Sequence, residues 1–223
     1  MNKYEVIDFS KTNRKSQFER FNSFSNPTYG LDVKLDVTNL VKFTKETHTS
    51  FFINFLYILT VSLNEVKEFR LRIVNDEVRL YEYINPTYTI KCIDGTFNNG
   101  MHLYTSDYKE FYKRAHEEIE FQKTNLNHKE NYNDSNLYDE FYFSCLPTLN
   151  FISMTHPIPI NDKSSMSVPR ALWGKYYLEN DHYYMTLNLT VSHALMDGFP
   201  LAEGFNKVID KLANINDYLI KFI

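Results

Sequence analysis

An apolar run in the first third of the chain places the strongest constraint on the fold. Residues 50–66 read SFFINFLYILTVSLNEV, and the longest apolar stretch within them, 51–63, is interrupted by Asn54. Its length favours a helix over a strand, and a helix that is apolar nearly all round is buried. Crossing a bilayer takes about 20 apolar residues. The sequence therefore predicts a buried helix here and no membrane span.

Two segments with a period of two predict half-buried strands. Residues 29–37 and 184–191 alternate between apolar and polar side chains, which places the apolar ones on one face of a sheet. Helical spacing begins at Ser106 and again at Asp197. Because strands and helices follow one another in mixed order, the predicted class is α+β with a mostly antiparallel sheet. No repeat or flexible linker divides the chain, so we expect one domain over residues 1–223.

Local cap and turn signals give four further predictions. Asn13 can cap a short helix that runs to Phe21. An Asn-Pro turn at 85–86 joins the strands on either side of it. Another strand covers 149–154, and the polar, Asn-rich stretch 125–136 forms a surface loop.

Composition excludes several classes of function. The 24 Lys and Arg residues are outnumbered by 28 Asp and Glu residues, giving a net charge of −4, whereas a broad nucleic-acid surface needs a basic excess. Cys92 and Cys145 form no CxxC motif, so a zinc ribbon or thioredoxin-type site is excluded. The opening residues MNKYEVIDFS lack the apolar core of a signal peptide. We expect a cytoplasmic protein that binds neither nucleic acid nor membranes.

The most informative short segment is VSHALMDGFP, residues 191–200. His193 follows the alternating strand, and Asp197 and Gly198 begin the next helix. A side chain at such a junction is held rigidly yet exposed. An imidazole with a pKa near 6.5 can accept a proton at neutral pH, so His193 fits a general base that activates a hydroxyl or thiol.

The other interpretations of this segment are structural. A lone histidine at a strand end is usually a hydrogen-bonded residue without catalytic function. Metal binding by His193 and Asp197 is disfavoured because no third ligand lies nearby in the sequence, so no metal is expected. Asp197 is better suited to pair with an arginine elsewhere than to act as a second catalyst. The sequence assigns no chemical role to the remaining histidines, which are residues 48, 102, 116, 128, 156 and 182.

Blocks of sequence along the whole chain match one enzyme family. Residues 172–200 read LWGKYYLENDHYYMTLNLTVSHALMDGFP, and residues 6–21 read VIDFSKTNRKSQFERF. The blocks KLDVTNL, EFRLRI and NPTYTI lie between them in order. With these blocks at this chain length, the protein resembles the chloramphenicol acetyltransferases over essentially its whole length.

The resemblance implies a two-layer α+β fold with helices on one face of the sheet, and a homotrimer with active sites at subunit interfaces. It implies acetyl transfer from acetyl-CoA, a co-substrate rather than a tightly bound cofactor, to a hydroxyl of chloramphenicol. His193 matches the family's catalytic base, and Asp197 matches an aspartate that pairs with Arg14. Ser144 matches a serine that donates a hydrogen bond to the oxyanion of the tetrahedral intermediate.

The resemblance also assigns ligand positions, and some of them depart from the family. Lys175 and Tyr176 are retained and fit coenzyme A binding, while Tyr29 occupies an aromatic position of the acceptor pocket. Leu172 stands where the family has a threonine near the oxyanion. Two other departures are Ser192, in place of the first histidine of a pair, and Pro200, in place of a histidine.

These departures leave two alternatives open. One is an acetyltransferase of the same fold that acts on a different small hydroxyl compound. The other is a ligand-binding relative that catalyses no reaction.

Overall fold

The computed structural model describes residues 2–126, 138–160 and 162–220 of the chain. The strands in these ranges are β1 (Tyr4–Val6), β2 (Thr28–Asp36), β3 (Leu71–Val74), β4 (Glu77–Tyr81), β5 (Asn85–Lys91), β6 (Phe97–Met101), β7 (Glu140–Cys145), β8 (Arg170–Trp173), β9 (Tyr177–Glu179) and β10 (His182–Ser192). The α-helices are α1 (Lys15–Asn22), α2 (Thr38–Thr47), α3 (Phe51–Asn64), α4 (Tyr108–Thr124), α5 (Lys163–Ser167) and α6 (Gly198–Ala213).

Two sheets organise these elements. The larger has the order β2-β10-β8-β7-β5-β6, with β9 also paired to β10, and the smaller has the order β1-β4-β3. All pairs are antiparallel except β5 with β7 and β7 with β8. The prediction of an α+β fold with a mostly antiparallel sheet is confirmed, and the parallel strand β7 lies at the centre of the large sheet.

Helix α3 is the buried helix that its apolar run predicted. All of its residues from Ile53 to Asn64 are buried. It begins after Ser50, whose hydroxyl accepts a hydrogen bond from the amide of Ile53. Asn64, at its end, bonds both backbone groups of Ile84, so this buried amide is satisfied. Within the described residues, no helix is long and apolar enough to cross a membrane.

The larger sheet has two chemically different faces. The core forms between the helices and the face that carries Phe143, Ala171 and Leu187. Because side chains alternate along a strand, the opposite face carries Ser144 and Asn188. The polar face is therefore free of the large helices, and it contains the predicted oxyanion donor.

Two of the local predictions are wrong. Asn85 and Pro86 are the first residues of β5 rather than a turn, since proline is tolerated where a strand begins. The strands before and after them belong to different sheets. Residues 149–154 form no strand, because the amide of Leu149 bonds back to the carbonyl of Leu146 in a turn. Most of the predicted loop 125–136 lies outside the described residues.

The predicted cap of the first helix is also wrong. Helix α1 begins at Lys15, and Arg14 holds the cap position without a side-chain cap bond. The amide of Arg14 instead bonds the hydroxyl of Thr12, which shifts the start of the helix beyond Asn13.

Helix α6 packs so closely on α3 and its following turn that one glycine has no room for a methyl group. A Cβ at Gly204 would lie 2.5 Å from Cε2 of Phe69, which is fully buried. Gly204→Ala is therefore expected to lower the unfolding free energy by about 1–2 kcal/mol, because overpacking outweighs the gain in helix propensity.

Urea unfolding at fixed protein concentration measures this effect. Gly198→Ala, in the same helix, is the matched control, because a Cβ there meets nothing within 4 Å. Equal midpoints for the two variants would contradict the predicted steric effect.

Candidate active site

His193 lies in the turn between β10 and α6, and both of its backbone polar groups are held. Its amide donates to the carbonyl of Pro27 at 2.9 Å. Its carbonyl accepts from Nη2 of Arg14 at 3.2 Å. Ser192, just before it, is buried, and its hydroxyl has no hydrogen-bond partner among the described residues. The main chain at His193 is thus fixed from α1 and from the segment before β2.

Two aromatic rings enclose the imidazole of His193. Phe21 stacks on it with 3.8 Å between ring centroids, and the ring centroid of Tyr29 lies 4.5 Å from that of His193. The side chain is 31% exposed, so part of the ring faces outward. Nδ1 lies 3.4 Å from Oδ1 of Asp197, within ion-pair range but without a hydrogen bond. This ring is oriented by packing and retains an accessible edge.

Arg14 and Asp197 form the ion pair that the resemblance implies. Nε of Arg14 donates to Oδ2 of Asp197 at 2.9 Å, and Nη2 donates to Oδ1 at 2.8 Å. Asp197 precedes α6 in the cap position, but its side chain makes no cap bond because it faces Arg14. Arg14 also donates to the carbonyls of His193 and Ala194. One guanidinium therefore joins three points of the turn.

Tyr29 forms one wall beside His193. Its hydroxyl donates to the carbonyl of Met196 at 3.3 Å. Burial, together with the nearby charge of Asp197, raises the pKa of Tyr29 to about 12. The phenol is therefore protonated at neutral pH, and its one hydrogen is the one donated to Met196.

Ser144 lies on the polar face of the large sheet, in β7. Its Oγ is 2.9 Å from Oγ1 of Thr89 on the neighbouring strand β5. Leu172 is its register neighbour on β8 and is buried. The hydroxyl of Thr89 thus gives Ser144 a hydrogen-bond partner, which the apolar side chain of Leu172 cannot provide.

A cavity of about 410 Å³ opens beside Ser144. Its lining combines the aromatic rings of Tyr138 and Tyr142 with polar groups of Thr89, Glu140, His156 and Arg170. Burial raises the pKa of Glu140, which accepts a hydrogen bond from Thr87. On the side of Ser144 that lines this cavity, the neighbouring residues therefore include both uncharged and ionisable side chains.

A second cavity, of about 440 Å³, lies on the other side of Thr89. Its aromatic lining includes Phe51, Phe52 and Trp173, and Lys175 and Tyr176 line it as well. The two residues predicted to bind coenzyme A thus line one cavity, and Thr89 lines both cavities.

His193 and Ser144 do not meet within one chain. Ser144 is in register with Leu172 on β8, which is in register with Asn188 on β10. His193 lies five residues beyond Asn188 and two strands away from Ser144. At ordinary strand spacings this places the two Cα atoms roughly 19 Å apart. A single chain therefore separates the candidate base from the candidate oxyanion donor.

Several residues of these sites carried no signal in the sequence. The sequence identified Phe21 only as the last residue of a short predicted helix, and its stacking on His193 depends on where α1 packs. Thr89 lies on the polar side of its strand, but its contact with Ser144 requires the parallel pairing of β5 and β7. His156 and Arg170 line the cavity from a segment without regular periodicity and from β8.

Comparisons with known proteins identify the family of this chain. The sequence profile of the chloramphenicol acetyltransferase family matches residues 1–209. A chloramphenicol acetyltransferase from Proteus mirabilis is 29% identical over 211 residues, covering 91% of this chain and 92% of that protein. One from Escherichia coli is 27% identical over 206 residues, covering 92% of each chain.

Solved structures give the same result. A chloramphenicol acetyltransferase superposes with a TM-score of 0.85 at 28% identity, covering 95% of this chain and all of the other. A probable dihydrolipoamide acetyltransferase from Listeria monocytogenes superposes with a TM-score of 0.66 at 13% identity, covering 97% of each chain, and shares the fold. The chain belongs to the chloramphenicol acetyltransferase family, and it is an acyltransferase.

Proposed function

We propose that this protein transfers the acetyl group of acetyl-CoA to a hydroxyl of chloramphenicol, with His193 as general base. The proposal depends on the position of His193. Its ring packs against the rings of Phe21 and Tyr29, and part of its side chain is exposed. A base that is fixed in place and accessible to a substrate hydroxyl needs little reorganisation in the transition state.

The reaction follows from the residues in hand. Nε2 of His193 takes the hydroxyl proton while the hydroxyl oxygen attacks the thioester carbonyl carbon. The tetrahedral oxyanion accepts a hydrogen bond from Ser144, whose own oxygen accepts from Thr89. The C–S bond then breaks, and the imidazolium returns its proton to the sulfur of coenzyme A. Both substrates are bound together, so no covalent enzyme intermediate forms.

The proposal requires the site to lie between two subunits. An oxyanion donor acts at about 2.7–3.1 Å and a base at similar range, which the separation of Ser144 and His193 in one chain does not allow. We infer a homotrimer in which His193 of one subunit faces Ser144 of the next, as the family resemblance implies. Closed rings of this kind form through heterologous interfaces.

The two cavities suggest where the substrates bind. The aromatic cavity, which Lys175 and Tyr176 also line, suits the apolar arm and the anionic groups of acetyl-CoA. The cavity beside Ser144, with both aromatic and polar lining, suits the acceptor. Thr89 lines both cavities and contacts Ser144, so the thioester carbonyl carbon would lie beside these two hydroxyls.

Thiol release from acetyl-CoA, measured with and without chloramphenicol, tests the proposal. Turnover at about 1–10³ s⁻¹ is expected, together with survival of a chloramphenicol-sensitive bacterium that produces the protein in its cytoplasm. Binding of acetyl-CoA without chloramphenicol-dependent thiol release would favour the second candidate function, acetylation of a different hydroxyl compound. The residues that favour this candidate are Leu172 and the buried Arg170. Ligand binding without turnover of any acceptor would indicate a non-catalytic relative.

The ion pair of Arg14 and Asp197 is expected to position His193 rather than to touch substrate. Asp197→Asn should lower kcat about tenfold and Arg14→Ala about 100-fold, since the arginine also binds two carbonyls of the turn. The KM values for both substrates should stay within about twofold of wild type. The pair is partly exposed, so its effect on stability should be small.

Steady-state kinetics of the single and double variants check this expectation. Arg14→Ala combined with Asp197→Asn should be no slower than Arg14→Ala alone, because the two side chains act as one unit. Lys15→Ala, on the same helix and exposed, is the matched control. Additive losses, or a rise in KM alone, would rule out a positioning role.

A further inference from the structure

The cavity beside Ser144 contains a histidine whose tautomer is fixed by its neighbours. Nε2 of His156 lies 3.2 Å from Oδ1 of Asn188, and Nδ2 of Asn188 donates to Oδ1 of Asp32 at 3.0 Å. A carboxylate only accepts, so the contact with Asp32 fixes which end of the Asn188 amide is NH₂. The other end is then a carbonyl oxygen, which also accepts from Thr190.

The orientation of Asn188 decides the protonation of His156. Because Oδ1 of Asn188 can only accept, Nε2 of His156 must carry a hydrogen and donate it. Burial, and then the charge of Arg170, lowers the pKa of His156 to about 4. The ring is therefore neutral at pH 7, and its remaining nitrogen, Nδ1, has a free lone pair.

Nδ1 of His156 is available to a ligand. Among the described residues, no hydrogen bond reaches this atom, and the residue lines the cavity. The neighbouring Arg170 gives its donors to the carbonyls of Ser165 and Val168 and to the hydroxyl of Ser165. His156 thus brings to the cavity that Ser144 also lines a ring nitrogen that no other described residue uses as a hydrogen-bond acceptor.

We propose that Nδ1 of His156 is a specificity-determining acceptor, which receives a hydrogen bond from a hydroxyl or amide N–H of the molecule to be acetylated. This inference rests on the proposed function, since it assigns the cavity to the acceptor substrate. It defines the substrate class as a small hydroxyl compound with a second donor group besides the hydroxyl that reacts. A compound whose second group is a carboxylate lies outside this class, because a carboxylate has no hydrogen to donate to Nδ1 of His156.

Two substitutions separate the two ring nitrogens. His156→Gln places an amide where Nε2 was and keeps the donor to Asn188, but it removes Nδ1. His156→Asn places a polar atom where Nδ1 was and loses the link to Asn188. We expect His156→Gln to raise the KM for chloramphenicol about tenfold, since a buried donor of the substrate loses its partner. His156→Asn should stay within about threefold, and neither variant should change the KM for acetyl-CoA.

Equal KM values for chloramphenicol in the wild type and His156→Gln would overturn the inference. So would a parallel rise in the KM for acetyl-CoA, which would indicate a structural role. ¹⁵N NMR of the histidine rings at pH 7 gives a test that does not depend on turnover. An Nε2–H tautomer at His156 is expected, and an Nδ1–H tautomer overturns the inference for every acceptor. Failure of the wild type to acetylate chloramphenicol, by contrast, overturns the proposed acceptor.

Discussion

His193→Ala is expected to lower kcat for chloramphenicol acetylation by about 10²–10⁴-fold, the range that general base catalysis contributes. The reacting hydroxyl then loses the base that takes its proton as the C–O bond forms. The KM for acetyl-CoA should change little, because the candidate coenzyme A cavity is lined by other residues. Stopped assays of thiol release with purified protein measure both quantities.

The control for this variant is another histidine with a charged partner. His182→Ala removes an imidazole whose Nδ1 lies 2.7 Å from Oδ2 of Asp36, at the far end of β10. It should retain wild-type kcat, because its side chain is exposed and remote from the turn at His193. A His193→Ala enzyme that is folded and as active as His182→Ala would exclude His193 as the base.

Ser144→Ala should lower kcat by about 10²–10³-fold, the usual loss for one oxyanion donor. The effect should fall on kcat and kcat/KM equally, since the hydrogen bond to the oxyanion forms only in the transition state. An unchanged kcat, or a loss confined to KM, would contradict this role. The alanine side chain fits the site, so the folded structure should persist.

Thr89 provides a second test of the same hydrogen bond. Thr89→Val keeps the shape of the side chain but removes the hydroxyl 2.9 Å from Ser144. Thr89→Ser keeps the hydroxyl and removes only a methyl group. If Thr89 orients Ser144, the valine variant should lose kcat and the serine variant should retain most of it. In the Ser144→Ala background both Thr89 substitutions should have little further effect.

Local sequence patterns were sufficient to predict the main elements around His193. The alternation of β2 and β10 and the long apolar run of α3 each predict the element that forms. The turn that carries His193 also lies where the pattern of β10 ends. These features are determined by residues that are close together in the sequence, so a single sequence is enough to predict them.

The second half of the site could not be predicted in the same way. The contact of Ser144 with Thr89 depends on a parallel pairing between distant strands, and local sequence carries no signal for that pairing. Asn85 and Pro86 have the composition of a turn, yet tertiary pairing makes them the start of β5. Arg14 and Asp197 are 183 positions apart, and only the family resemblance joined them in advance.

One deviation along β2 bears on the proposed assembly. Leu35 is buried as its alternation predicts, but Leu31, on the same side of the strand, is 45% exposed. The helical layer covers only the later part of β2, near α2. In the proposed trimer an apolar side chain in this position, close to Tyr29 and His193 in the sheet, would be covered by the neighbouring subunit.

Co-expression of two inactive variants tests the shared site most directly. His193→Ala and Ser144→Ala chains, carrying different affinity tags, are produced in one cell, and the mixed oligomers are purified and assayed for chloramphenicol acetylation. If each site of the proposed trimer takes His193 from one subunit and Ser144 from the next, one of the three interface sites in every mixed trimer regains both residues, and activity far above either parent returns. If the mixed oligomers are as inactive as their parents, the two residues do not act together across an interface, and the account is contradicted.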